Sequence, residues 1–185
     1  MDAAIYFNNA PEGIDQFGFD TKIKDGIVQD LFITSFGPIG IPFYSLSEVL
    51  SIYGEPGEVW VDAYGWPCDY ANGPRLLNVS LFYPDQGFFV LYASWGDAEG
   101  IMIQACVDSD PLLYLWSPLL NLSYSEAFMR AGLQSGDNPS LPVSEAFGMD
   151  TAMFYQTYKG NGTMVCVETQ RELWNWCDIT PTPTP

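Results

Sequence analysis

Apolar and polar residues alternate along much of the first hundred residues, and this alternation predicts β-strands. Lys24-Asp25-Gly26 separates two such runs, and an Asp-Gly pair between strand-like segments is a strong hairpin signal. Pro84 to Gly87 separates a second pair in the same way. The predicted strands cover residues 16–23, 27–34, 58–62, 75–83, 88–95 and 101–107.

One segment breaks this pattern, because apolar residues recur at helical spacing between residues 46 and 53. Ser45 is a favourable N-cap for that helix, and Glu48 completes a capping box. Gly54 can adopt the left-handed conformation that ends a helix, and Pro56 prevents it from restarting. We therefore predict a short helix that packs against the sheet.

The C-terminal third is less regular. We predict helices from Ser123 to about Leu133 and from about Asp150, and a strand over residues 163–168. Residues 112–116 are short and apolar, and their type stays open.

The resulting fold class is α+β, with an antiparallel sheet of about five to six strands and short helices packed on one face. We expect a single domain over residues 1–179, sheet-rich over 1–108 and helical or irregular over 109–179. The Thr-Pro repeat over residues 180–185 predicts a disordered tail.

The charge balance narrows the function classes. The chain has 23 acidic residues against 6 basic ones, a formal net charge of -17, and no histidine. An acidic surface repels phosphate backbones, so we expect no nucleic-acid partner, while cationic partners and divalent ions such as calcium remain open. The lack of histidine excludes Ser-His-Asp and Cys-His catalysis and His-ligated metals. We predict no cofactor, assign no residue as a metal ligand, and favour a non-enzymatic role.

Membrane insertion and export are judged from the apolar runs. The chain has no apolar run of about 18 residues, so we predict no transmembrane segment. No signal peptide is recognisable at Met1-Asp-Ala-Ala. If the protein is exported, we expect this chain to be its trimmed form.

The four cysteines are Cys68, Cys106, Cys166 and Cys177. They form no C-x-x-C pair, which argues against a zinc ribbon or a thioredoxin-type site. Few lysines and many aromatic residues favour disulfides and an oxidising compartment over free thiols. Of the three pairings that four cysteines allow, the local one is favoured, which joins Cys68 to Cys106 and Cys166 to Cys177.

An aromatic group supplies the candidate binding residues. Tyr64, Trp66 and Tyr70 lie near or on a Gly/Pro-rich loop, and Trp95 ends a neighbouring predicted strand. Exposed aromatic rings stack on sugars or anchor protein partners, and loops carry function more often than strands do. Core packing is the alternative role for the same residues.

The pattern from Leu46 to Pro56, a helix followed by Tyr-Gly-x-Pro, leads into Glu58-Val-Trp-Val61 and resembles an element of small envelope lipoproteins of the BamE/SmpA type. It is also similar to the helix-plus-sheet unit of β-lactamase-inhibitor-protein-like folds. The resemblance implies a cell-envelope or extracellular setting and a scaffolding or binding role, and it supplies no catalytic residues.

These observations together predict a non-enzymatic extracytoplasmic domain that binds another protein or a second copy of itself. The alternative is a carbohydrate-binding module that uses Tyr64, Trp66 and Tyr70. A hydrolase that relies on carboxylates alone is a third hypothesis.

Overall fold

The computed structural model describes residues 2–7, 16–24, 27–36, 45–65, 75–99, 101–107, 111–133, 140–160, 162 and 164–174. These residues form one antiparallel sheet of ten strands and four α-helices. The strands are β1 (Asp2–Phe7), β2 (Gln16–Lys24), β3 (Ile27–Phe36), β4 (Glu58–Gly65), β5 (Arg75–Tyr83), β6 (Phe88–Glu99), β7 (Met102–Val107), β8 (Pro111–Trp116), β9 (Leu141–Pro142) and β10 (Val165–Gln170). The helices are α1 (Leu46–Tyr53), α2 (Tyr124–Arg130), α3 (Val143–Ala146) and α4 (Thr151–Tyr158).

The sheet forks at its longest strand, β6. The main path runs β1-β2-β3-β8-β6-β5-β4-β9, and β5 pairs with most of β6. On its other side, β6 pairs with β8 over Phe88–Tyr92 and with β7 over Gly96–Glu99. Strand β10 pairs with β7 and extends the second branch.

The α+β class is confirmed, and the predicted count of five to six strands is wrong. Strand β8 corresponds to residues 112–116, whose type stays open in the sequence because a continuous apolar run does not alternate. Its residues pack into both core clusters, so neither face of the strand is polar. Strand β9 has only two residues and is too short to show a period. The C-terminal third, expected to be helical or irregular, thus holds three helices and also contributes β8, β9 and β10.

Helix α1 follows its sequence signals closely. The Ser45 hydroxyl accepts the Glu48 backbone N–H at 3.4 Å and lies 3.0 Å from the Glu48 carboxylate. Gly54 follows the helix with a φ of 84°, and its N–H donates to the Leu50 carbonyl. Local capping therefore sets both ends of this helix.

Helices cover both faces of the sheet, so the prediction that they pack on one face is wrong. Phe88, Val90 and Tyr92 of β6 belong to a core cluster that includes residues of α1, α3 and α4. The alternate residues Phe89 and Leu91 belong to a second cluster, which includes residues of α2. Because β6 is apolar on both sides, each face requires its own cover.

A tight turn connects β5 to β6 and brings β8 alongside. Gly87 has a φ of 74°, and its carbonyl accepts the Trp116 N–H at 2.8 Å. A Cβ atom at Gly87 would collide with the Trp116 carbonyl oxygen. The turn therefore requires glycine for both its conformation and its close approach to β8.

The single disulfide in the described part of the chain joins Cys106 to Cys166. These residues stand opposite each other in the β7–β10 pair, and both side chains are exposed. The predicted local pairing of Cys68 with Cys106 and of Cys166 with Cys177 is therefore wrong. Cys106 and Cys166 are partners because the register of β7 and β10 places them opposite each other, although the two strands are far apart in sequence. Cys68 and Cys177 themselves lie outside the described residues.

Candidate functional site

Helix α2 and strand β4 line an open groove of about 960 Å³, which we call the Trp60 groove. Among the described residues, its lining combines aromatic, aliphatic and hydroxyl side chains with one carboxylate. The lining residues are Glu58, Trp60, Ser123, Tyr124, Ser125, Phe128, Met129, Gly132, Leu133 and Ser140.

Trp60 is held firmly in the wall of this groove. Strand alternation turns Val59 and Val61 into the core on the other face of β4. The Trp60 ring stacks on Tyr124, with 5.0 Å between ring centroids and 3° between planes. Its Nε1–H donates to Glu58 Oε2 at 2.6 Å. The ring is thus fixed on one face and at one edge.

Helix α2 forms the opposite wall, and a capping box starts it. The Ser123 hydroxyl accepts the Glu126 N–H at 3.4 Å, and the Glu126 carboxylate accepts the Ser123 N–H at 2.9 Å. The hydrogen bonds that the Ser123 backbone N–H and hydroxyl donate to the Glu126 carboxylate lower the pKa of Glu126. The capping box thereby fixes Tyr124, the residue after the N-cap, in the first turn of α2.

A buried polar cluster lies under the first turn of α2. Asp62 is 1% exposed, and its carboxylate accepts a hydrogen bond from the Ser140 hydroxyl. The Tyr124 hydroxyl lies 3.4 Å from the other Asp62 oxygen and 3.1 Å from the Ser80 hydroxyl. Burial raises the pKa of Asp62, while the hydrogen bonds from Ser140 and Tyr124 oppose that rise. Burial and the neighbouring Asp62 raise the pKa of Tyr124, which keeps its proton.

A second buried carboxylate lies under the last turn of α2. Arg130 Nε stands 3.4 Å from Oδ2 of Asp30, which is 3% exposed. The Lys22 ammonium donates to the Arg130 carbonyl at 2.9 Å. Helix α2 is therefore anchored to the sheet by an acidic residue at each end.

The chemistry of the Trp60 groove favours binding. Asp62 is enclosed by its partners and does not present its oxygens to the groove. The groups that do face it include the indole of Trp60, the apolar side chains of Phe128 and Met129, and several hydroxyls. Met129 is 64% exposed, so the groove offers an accessible and adaptable apolar side chain.

A smaller concavity of about 270 Å³ shares Glu58 and Trp60 with the groove, and we call it the Asp150 pocket. Asp150 caps α4, and its carboxylate accepts the Met153 N–H at 2.7 Å. The lining residues are Glu58, Val59, Trp60, Pro142, Val143, Ser144, Asp150 and Thr151.

Only some of the binding residues predicted from sequence can be located relative to one another in the structure. The register places Tyr64 opposite Leu76, and Leu76 opposite Trp95, so the three occupy one row across β4, β5 and β6. Trp95 is 58% exposed and does not line the Trp60 groove. Trp66 and Tyr70 lie outside the described residues.

Sequence reasoning missed Trp60 and Tyr124 as site residues. A usable signal was present for Trp60, because alternation over Glu58-Val-Trp-Val-Asp62 places it with two carboxylates on one side of β4. No local signal pairs Trp60 with Tyr124. Their stack depends on how α2 crosses the sheet.

Comparisons with known proteins return no relative. No family model, curated protein or solved structure matches this chain. Within the described residues, no cluster of three or more His, Cys, Asp or Glu side chains could hold a metal ion. No helix in that part of the chain is long and apolar enough to cross a membrane.

Proposed function

We propose that this chain is a non-enzymatic extracytoplasmic domain that binds a protein partner through the Trp60 groove. The observation that carries the proposal is the fixed Trp60 indole beside the exposed Met129 in an open apolar groove. Tryptophan and tyrosine dominate binding hot spots because they offer a large contact area at low entropy cost. The exposed Cys106–Cys166 disulfide supports an oxidising compartment.

The pre-organisation of the groove strengthens this proposal. The Tyr124 stack and the Glu58 hydrogen bond fix the indole before any ligand arrives. A partner therefore does not have to order this side chain on binding, a cost of about 0.5–1.5 kcal/mol for a mobile one. The volume of about 960 Å³ suits a peptide segment with an apolar anchor.

Selection of peptides from a displayed random dodecapeptide library, on the whole disulfide-bonded protein, tests the proposal. We expect selected peptides to slow amide hydrogen exchange in α2 and to lose binding to the Trp60→Ala and Met129→Glu variants. Leu119→Glu is the matched control, because Leu119 is 94% exposed and does not line the groove. Peptides that bind Trp60→Ala as well as the original chain would refute the site.

The partner could also be a second copy of this chain. Sedimentation velocity distinguishes this case, because Met129→Glu would then convert a dimer into a monomer while Leu119→Glu would not. A monomer at all concentrations, combined with groove-specific peptides, assigns the groove to a different protein.

Carbohydrate binding is the second candidate function, and the exposure of Trp95 favours it. Trp95 shares a sheet row with Tyr64, and an exposed indole can stack on a sugar ring. A glycan array tests this candidate. Binding that disappears in Trp95→Ala and persists in Trp60→Ala would support it, and an array without binding would reject it.

A further inference from the structure

Among the described residues that line the concavities beside Trp60, the charged ones are all acidic. Trp60 and Glu58 line both the Trp60 groove and the Asp150 pocket, and Asp150 adds a second carboxylate. Among the described residues that line the two concavities, none is a lysine or an arginine. An entering cation would therefore meet two carboxylates and no competing positive charge.

Three of the basic residues have partners away from Trp60. Arg130 pairs with Asp30, Lys22 donates to the backbone of α2, and Lys159 Nζ lies 4.5 Å from the centre of the Tyr155 ring. With 6 basic residues against 23 acidic ones, the chain as a whole attracts cationic segments. Such long-range attraction raises association rates more than affinity, so affinity for a cationic segment requires specific contacts at one site.

Trp60 and Glu58 supply such a site. A cation over an indole face gains about 0.5–2 kcal/mol, depending on how far it is desolvated. Glu58 lies at the edge of the same ring and can accept a charge-assisted hydrogen bond from that cation. The apolar stem of a lysine or arginine would pack along Phe128 and Met129.

One feature nearby opposes a cation. Thr151, at the start of α4, lines the Asp150 pocket, and a helix N-terminus favours anions by about 0.3–1 kcal/mol. The Asp150 carboxylate already caps this end through the Met153 N–H. Two full carboxylates together outweigh the remaining partial charge, so the balance favours a cation.

We infer that the partner of the Trp60 groove is a basic peptide segment whose lysine or arginine side chain lies on Trp60 against Glu58. This inference rests on the proposed function and narrows it to a partner chemistry. A neutral sugar on Trp60, or a second acidic copy of this chain, would contradict it.

The test uses the peptides selected on the whole protein. Each is synthesised in its original form and with arginine replaced by citrulline or lysine by acetyl-lysine, which removes the charge at nearly constant shape. Binding is measured at 150 mM salt by calorimetry and by the indole N–H resonance of Trp60, assigned with Trp60→Phe. We expect a neutral replacement to weaken binding about tenfold, which corresponds to one charge-assisted contact.

The variant Glu58→Gln separates this contact from general attraction. Glutamine still accepts the indole N–H, so the ring should stay in place while the charge is lost. We expect neutral replacement to cost clearly less than about tenfold in this variant, because only the contact with the Trp60 face remains, and to cost the full tenfold in Glu172→Gln. Glu172 is an exposed acidic residue that lines neither concavity, so it controls for net charge.

The outcomes distinguish the two proposals. Groove-specific peptides that tolerate neutral replacement would overturn the cation inference and leave the proposed function standing. The cation inference is also overturned, and the proposed function kept, if neutral replacement weakens binding to Glu58→Gln as much as it weakens binding to the original chain. If no selected peptide moves the Trp60 resonance or protects α2, both proposals fail. A Trp60 shift produced by neutral oligosaccharides alone would replace the basic peptide with a sugar.

Discussion

Arg130 is predicted to be the strongest single electrostatic support of α2. Asp30 is 3% exposed, and neither of its oxygens makes a hydrogen bond of normal geometry in the described structure. The neighbouring Tyr114 hydroxyl is uncharged, because burial and Asp30 raise the pKa of Tyr114. The cation 3.4 Å away is therefore the main compensation for a buried charge. The test is Arg130→Met, which removes the charge and keeps an apolar stem.

The expected cost follows from the geometry. At 3.4 Å and an effective dielectric constant of 20, Coulomb's law gives about 5 kcal/mol. The Arg130 side chain is 38% exposed, so solvent screens part of this attraction. Removing one partner of a buried pair typically costs about 3–5 kcal/mol, and we expect about 3 kcal/mol here. For a chain of this size that corresponds to a fall in Tm of about 6–12 °C.

Urea unfolding followed by tryptophan fluorescence measures this loss, and a double-mutant cycle assigns it to the pair. Asp30→Asn removes the buried charge, so adding it to Arg130→Met should recover much of the lost stability. A coupling energy below about 0.5 kcal/mol would refute the reasoning, because the two side chains would then act independently. So would an Arg130→Met variant as stable as the original chain.

Three further predictions concern stability. Because the folded pKa of Asp62 is raised above 3.8, the folded state holds its proton more tightly, and stability falls as pH rises from about 4 through the folded pKa. The variant Asp62→Asn should lack this fall in urea unfolding measured between pH 4 and 8, and identical pH profiles would contradict the assignment. Replacing Cys106 and Cys166 by serine should cost up to about 4 kcal/mol, as the loop-entropy relation gives for a separation of 60 residues. Non-reducing peptide mapping should show these two cysteines linked, and any other partner for either would refute the pairing. Gly87→Ala should destabilise more than Gly132→Ala by at least about 1 kcal/mol, since both have positive φ but only Gly87 faces a close carbonyl. Equal losses of stability for the two variants in thermal unfolding would contradict this prediction, because the contact between the new Cβ and the Trp116 carbonyl would then cost nothing.

Local signals predicted much of the secondary structure. The capping signals around Ser45 and Gly54 placed α1 at its observed bounds, and alternation placed β2, β3 and β5 to within two residues. Strand β6 begins where predicted but continues four residues past its predicted end at Trp95, and those residues pair with β7. These features depend on neighbouring residues, whose effects are visible in the sequence. Strand β8 shows the limit of this reasoning, because a run buried on both faces has no period to detect.

The site could not be assembled from the same signals. The Tyr124 hydroxyl reaches Asp62 across 62 residues, and the disulfide joins cysteines 60 residues apart. Such contacts depend on the order of strands in the sheet and on which face a helix covers. The sequence marks candidates for these roles, such as Trp60 between two acidic residues, but does not mark their partners.

Helix α2 has seven residues, too few to be stable alone in water, so its position depends on the packing of Ala127 and Phe128 in the core and on polar contacts at its ends. The Ser123 capping box and the Tyr124 contact with Asp62 hold its start, and Arg130 holds its end through Asp30. Because α2 is one wall of the Trp60 groove, a change that releases either end should lower stability and peptide binding together. Glu58→Gln should lower binding alone, since Glu58 is exposed and supports no helix. That contrast separates the groove surface that binds a partner from Asp30 and Asp62, the buried carboxylates that hold α2 in place.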